Sequence, residues 1–282
     1  MDGLEKHEKF LYPIVRVSGE KGTGSGTIIY NKPDPENKGD YETFVLTNHH
    51  VIASCISLKE DWNSLVKRKV ETEKIEKATV EMFEYVWDST VDGSNSRKAD
   101  IIAYCPDHDL AVLKLNTPKK FDYVAPLLPE DKIKDLRLFQ DIVVSGCSMA
   151  HDPFCNYGQL TFLDEIIERK KYFMANAGSY FGNSGGALFL MDTAELIGVP
   201  SRLTGLQLGF GVDMVLFMGF SAHIERIYEF IKEQEILFLI DPEDTFEKAM
   251  KRRENKEKEA LMALKAEFVR NKDQELESSS PS

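Results

Sequence analysis

Gly182-Asn183-Ser184-Gly185-Gly186, running into Ala187-Leu188-Phe189-Leu190, is the stretch that decides the fold. A serine spaced as G-x-S-x-G marks a strand-to-helix elbow in one large α/β class, where an acid and then a histidine follow in the chain. Here the residues after the serine turn are apolar and strand-like. The Asp213 and His223 further along lie too close together to suit that class. The serine therefore sits on a glycine turn that feeds a β-strand.

Outward from this turn the chain keeps the same rhythm. Pro13 to Ser18, Gly26 to Tyr30, Thr43 to Thr47, Ala78 to Val86, Asp100 to Tyr104 and Ala111 to Leu115 are short apolar runs in the first half. Asp141 to Ser145, Gln159 to Leu163, Ala187 to Leu190 and Ala194 to Val199 follow in the second. They are rich in Val, Ile, Leu, Tyr and Phe and bounded by Gly, Pro, Asn and Asp, the pattern of an all-β barrel or sandwich. Asn31 to Tyr41 reads as a long hairpin loop. Lys59 to Lys77 and Asp88 to Lys98 read as polar surface insertions between strands, with room for a helical turn.

After Ser221 the period changes. Ile224, Ile227, Tyr228 and Ile231 recur at helical spacing, so Ala222 to Glu235 is expected to be an amphipathic helix. Ile236 to Ile240 reads as a strand or docking segment. Asp241-Pro242 offers an N-cap and a first-turn proline for a charged helix over Pro242 to Lys272. Its broken apolar stripe is Phe246, Met250, Leu261, Leu264 and Phe268. Such a helix is either solvated or a surface for homo-oligomer or adaptor contact, and Gln274 to Ser282 is expected to be disordered.

Composition narrows the classes. Against 35 basic residues stand 47 acidic ones, a formal charge of -12, which disfavours nucleic acid as a partner. No run approaches roughly eighteen uncharged apolar residues, so no membrane span is expected. The opening MDGLEKHEKF lacks the features of a secretory signal, so a cytoplasmic location is expected. Cys55, Cys105, Cys147 and Cys155 are too few for a disulfide framework and are read as reduced thiols.

Chemistry converges on three places. Ser184 is a candidate nucleophile, and the missing side chain at Gly182 lets its backbone N–H turn inward beside that of Ser184, two donors for an oxyanion. Leu46 to Ile52 (LTNHHVI) ends an apolar strand on two histidines, of which only one can face a shared site. Asp109, leading into Leu110 to Leu115, is a carboxylate at a strand start that an imidazole N–H could partner. The order His, Asp, Ser, spaced by about 60 and then about 75 residues, is one of three orders in which a nucleophile, base and orienting acid recur.

These residues resemble the three signature blocks of trypsin-like serine peptidases, and within them the branch of the Deg, or high-temperature-requirement, proteases. TNHHVI is similar to that branch's T-N-x-H-V block, which selects His50 over His49. HDLAVLKL is similar to its D-L-A-V-L-K block, which selects Asp109 over Asp107, and GNSGGAL selects Ser184. GTGSGTIIY resembles its early G-x-G-S-G strand.

The resemblance covers Tyr12 to Glu235 and implies two six-stranded antiparallel barrels with the site between them. The expected division is a segment over 1–11, barrels over 12–122 and 123–220, a closing helix and docking segment over 221–240, a charged helix over 241–273 and a tail over 274–282. It also implies that Gly178, six residues before the nucleophile, floors the primary pocket, and that Ser201 lies in the segment that pairs with substrate backbone. With no aspartate at Gly178, a small or medium apolar residue before the cut is expected. The substrates would be proteins or peptides, with no cofactor.

The chain departs from the branch in three ways. It has no Ile-Val-Gly-Gly start, its region after Glu235 is too short and charged for a peptide-binding domain, and its polar insertion before Asp109 is long.

Other readings fare worse. Gly22 to Thr27 (GTGSGT) lacks the Lys and the following helix of a phosphate loop. His49, His50, Cys105 and His108 have no recognised metal-ligand spacing, so no metal is expected. The serious alternative is a catalytically silent protein of protease shape that binds or builds.

Overall fold

The computed structural model describes residues 1–63, 68–87, 90–208 and 211–278. They form two compact units, Met1–Phe230 and Ile231–Ser282.

The first half of the first unit holds α1 (Gly3–Phe10), β1 (Ile14–Ser18), β2 (Thr23–Pro33), β3 (Tyr41–Thr47), the short α2 (His49–Ile52), β4 (Ile56–Asn63), β5 (Arg68–Ile75), β6 (Ala78–Trp87), β7 (Thr90–Cys105) and β8 (Leu110–Leu115). Six strands close a barrel in the order β1-β2-β3-β8-β7-β6. Each pairs antiparallel with its neighbours; hairpins join β1-β2, β2-β3, β6-β7 and β7-β8, and a longer connection runs from β3 to β6. Val17, Val45, Val80 and Leu113 fill its interior. Burying each such side chain contributes about 1.5–3 kcal/mol.

The second half adds β9 (Asp141–Gly146), β10 (Phe154–Ile167), β11 (Lys170–Ala175), β12 (Ala187–Leu190), β13 (Leu196–Leu208) and β14 (Gly211–His223). These close a second barrel in the order β10-β11-β14-β13-β12-β9, around Ile142, Phe173, Leu188 and Ile197. The chain is thus mostly β, with two closed six-stranded sheets and a few helices.

Several sequence expectations are corrected. Lys59 to Lys77 contains no helical turn among the described residues. Most of it is the β4–β5 ribbon, which pairs with neither barrel. Asp88 to Lys98 is not a surface insertion: from Thr90 onward it is the first half of β7, paired to β6, while residues 88 and 89 lie outside the described residues. The N-terminal segment carries α1, capped by a reciprocal pair in which the Asp2 side chain accepts from Glu5 N–H and the Glu5 side chain from Asp2 N–H.

β14 persists to His223, so the next helix, α3 (Ile224–Glu233), starts two residues later than its apolar spacing suggests. Ile236 to Ile240 holds a 3-10 turn over Leu237–Leu239 instead of a strand. In the second unit α4 (Phe246–Ser278) begins past Asp241-Pro242, because Thr245 Oγ1 accepts the first-turn N–H of Lys248 at 3.2 Å. Asp241 instead closes a local turn by accepting from Glu243 N–H. Phe246 packs edge-on against Phe238. The side chains of Leu261, Leu264 and Phe268 lie outside the described residues. Gln274 to Ser278, expected to be disordered, continues the helix, and residues 279–282 lie outside the description. All four cysteines are free. No described helix is long and apolar enough to cross a membrane.

Candidate active site

α2 starts where β3 ends, and its first turn carries both histidines. His50 Nδ1 lies 2.9 Å and 3.0 Å from the two Asp109 carboxylate oxygens, and the backbone N–H of His50 donates to Asp109 Oδ1 at 3.0 Å. Asp109 caps the turn between β7 and β8 in a left-handed conformation, φ 53°. Asn48, fully buried, donates from Nδ2 to the Asp109 carbonyl at 2.7 Å. Three bonds from the His50 turn thus fix a residue whose backbone is otherwise unfavourable. The Asp109 side chain is 21% exposed and that of His50 46%. The carboxylate is sheltered while one edge of the imidazole stays open. His49 turns away to stack on Tyr104, with ring centroids 5.5 Å apart, and burial lowers its pKa.

The serine turn of the second barrel is fitted against this strand end. A Cβ on Gly185, at φ 86°, would overlap the Ser25 carbonyl oxygen and the Thr47 hydroxyl and would come within 3.1 Å of Asn48 N. A Cβ on Gly182, at φ 96°, would sit 2.8 Å from Met149 N and 2.9 Å from the Cys147 carbonyl oxygen. Only glycine meets both the φ and the space at these two positions.

The Tyr180 carbonyl accepts from Asn183 N–H, that of Phe181 from Met149 N–H, and that of Asn183 from Gly186 N–H. The Gly182 carbonyl accepts from Ser25 Oγ and the Ser184 carbonyl from Ser25 N–H. The N–H of Gly185 donates to Pro200. Every carbonyl from 180 to 184 is therefore occupied. The N–H groups of Gly182 and Ser184 have no acceptor among the described residues. Because these peptides are trans, fixing the Phe181 and Asn183 carbonyls also fixes the opposite directions of these two N–H groups. Asn183 itself is buried and accepts a hydrogen bond from the Ser148 hydroxyl.

Not all the expected site residues come together. Among the described residues the Ser184 hydroxyl makes no hydrogen bond to His50. Gly178 is buried, and a Cβ there would approach Tyr180 Oη to 3.1 Å. Ser201 sits at an irregularity of the β13–β14 ladder with its hydroxyl buried and, among the described residues, unpartnered. Neither lines the neighbouring apolar cavity of about 650 Å³, whose walls are Ser148, Met149, Ala150, His151, Phe154 and Tyr180. Sequence reasoning missed Ser25, Asn48 and Met149. For Ser25 a signal existed: glycines on both sides, each marking a close approach.

Comparison with known proteins bears on the family and the fold. The sequence profile of the trypsin-like peptidase domain matches residues 24–199. No curated protein sequence matches the chain. Among solved structures, Deg5 is similar at 21% identity and TM-score 0.53, over 81% of this chain and 94% of that one. AlgW, an HtrA-type protease solved with a tripeptide, is 16% identical with TM-score 0.54, over 83% of this chain and 63% of its own. A serine endoprotease from Yersinia pestis is 18% identical with TM-score 0.51, over 83% and 66%. At these identities the three structures bear on the fold.

Proposed function

This chain belongs to the trypsin-like peptidase family, and we propose that its serine endopeptidase chemistry runs through an acyl-enzyme on Ser184, with His50 as base and Asp109 as the acid that orients it. The observation that carries this reading is the His50–Asp109 pair, with Nδ1 2.9 Å from the carboxylate. An Nδ1–H held by a carboxylate leaves Nε2 unprotonated and able to take a proton.

In the first step Ser184 Oγ bonds to the scissile carbonyl carbon while its proton passes to His50 Nε2. The displaced electron pair rests on the carbonyl oxygen, where the N–H groups of Gly182 and Ser184 receive it. Collapse breaks the C–N bond, and the amine leaves with the proton from His50. Water, deprotonated by His50, then cleaves the ester and restores Ser184. The proposed substrates are proteins or peptides. Gly178, without a carboxylate, favours an apolar residue before the cut, with Ser201 beside the substrate backbone. The two barrels, taken as 12–122 and 123–220, contribute His50 with Asp109 and Ser184 respectively.

A fluorophosphonate probe tests the reading. The folded chain is expected to be labelled at Ser184, and Ser184→Ala to abolish labelling with an unchanged circular dichroism spectrum. A properly folded wild type that takes no label returns the chain to a silent, binding role.

A further inference from the structure

We propose that Ser25 is a positioning residue of the oxyanion site: its hydroxyl holds the Gly182–Ser184 turn in the form that leaves both N–H donors free and aimed. This rests on the peptidase reading above.

Ser25 lies in β2 of the first barrel and is fully buried. Each of its polar groups is engaged, and three of the four bonds reach the second barrel. Its N–H donates to the Ser184 carbonyl at 2.7 Å, and its hydroxyl donates to the Gly182 carbonyl at 2.6 Å. The same hydroxyl oxygen accepts from Cys147 N–H at 2.7 Å. The Ser25 carbonyl accepts from Thr47 Oγ1 at 2.7 Å, beside Asn48 and the histidine turn. One residue thus grips the carbonyls on both sides of Asn183 and ties them to the strand end that carries His50.

The surrounding glycines make this grip possible. A Cβ on Gly24 would come within 2.8 Å of the Ser184 carbonyl oxygen, and one on Gly146 within 2.9 Å of Ser25 Oγ. A serine hydroxyl has one proton and two lone pairs, so it can donate to Gly182 and accept from Cys147 at once.

The grip matters because Gly182 is the turn's soft point. With no Cβ, it can trade its φ of 96° for many others at little cost. Two bonds hold it: Met149 N–H on the Phe181 carbonyl before it, and Ser25 Oγ on its own carbonyl after it. Without the second, a part-buried carbonyl loses its donor and turns toward any replacement. The Gly182–Asn183 peptide then turns, and pulls on the single Met149 and Gly186 bonds that direct the Gly182 and Ser184 N–H groups on either side of it. An oxyanion donor lowers a barrier only when it already points at the place where charge develops.

The test uses the full chain and three measurements on Ser25→Ala. Steady-state hydrolysis of a fluorogenic peptide is expected to show kcat lowered on the order of 10²-fold with KM within about threefold, as for loss of a donor that acts on the transition state. Affinity for a peptidyl aldehyde, whose hemiacetal with Ser184 places an oxyanion in the hole, should fall by the same factor as kcat/KM. Affinity for a non-cleavable peptide of the same sequence should not change. A purely structural serine would lower the melting temperature and leave these ratios alone.

If Ser25→Ala does not fold, Ser25→Cys keeps nearly the same volume with a weaker donor, and the same split is expected. Either variant, folded and with kcat within about threefold of wild type, overturns the role of Ser25 and leaves the peptidase reading standing. A folded wild type that neither hydrolyses peptide nor takes the fluorophosphonate overturns both.

Discussion

Replacing Asp109 separates what the carboxylate does for chemistry from what it does for the fold. Asn is the informative substitute, because it shares the tolerance of Asp for a left-handed backbone, here φ 53°. The bond from Asn48 Nδ2 goes to the Asp109 carbonyl and survives the change. The amide oxygen can still accept from His50 N–H, as Oδ1 does now at 3.0 Å. The amide nitrogen then stands where Oδ2 now lies, 2.9 Å from His50 Nδ1. Facing a donor, Nδ1 must be unprotonated, so the ring carries its proton on Nε2 and cannot take one from Ser184. The expected loss in kcat for Asp109→Asn is about 10³- to 10⁴-fold, or about 4–5.5 kcal/mol of barrier, with little change in stability.

Asp109→Ala should be as inactive but much less stable. It places an alanine at positive φ, costing about 1–2 kcal/mol. It also strips the acceptor from the His50 backbone N–H, costing about 0.5–1.5 kcal/mol more. Peptide hydrolysis and urea denaturation, measured on both variants, check the pair of outcomes. Activity of Asp109→Asn within tenfold of wild type, or equal destabilisation by the two changes, would refute the reasoning.

Two further outcomes follow from buried contacts. Gly185→Ala puts a methyl into the Ser25 carbonyl and the Thr47 hydroxyl at φ 86°, and should cost at least about 3 kcal/mol or prevent folding; a denaturation midpoint close to wild type would contradict the packing. His223, stacked on Phe173 with centroids 4.0 Å apart, accepts from Glu225 N–H at Nδ1, and its pKa is pushed down to about 4, chiefly by burial. Its native pKa is below the unfolded value, so the stability it contributes is whole above about pH 6.5 and is lost as pH falls toward 4. Urea melts between pH 7 and 4.5 should show wild type losing about 2–3 kcal/mol relative to His223→Asn, and parallel profiles would remove His223 as the cause.

How much of this was legible in the sequence depended on whether the deciding contact was local. Barrel strands with an apolar interior face, such as Thr43 to Thr47, announced themselves. β11 did not, because the turn before it is Glu168-Arg169, two residues at φ 53° and 64° joining Ile167 to its partner Lys170. That turn geometry is ordinarily signalled by Asn-Gly or Asp-Gly, and neither is present. The β4–β5 ribbon hid for a related reason. Its Lys and Glu residues pair across the ladder, as Lys69 does with Glu60 at 3.1 Å, and such a run reads equally well as a charged helix.

At the site itself, the residue types were readable and the arrangement that makes them useful was not. Glycines at 182 and 185 announce backbone freedom, which alone would leave the turn floppy. What fixes the turn is Ser25, 157 positions from Gly182 in the chain, and Met149 from a different loop. Likewise the sequence names His50 and Asp109, but the imidazole is oriented through the Asn48 bond and a left-handed Asp109 backbone, neither of which leaves a periodic trace. On the proposed reading, the same reasoning explains why the nucleophile turn and its base come from different barrels. Each barrel can be rigid on its own, and the cross-barrel bonds of Ser25 then set one against the other through groups that need no solvent. A donor aimed by two closed sheets costs nothing to reorganise when charge develops, which a turn held only by its own residues could not offer.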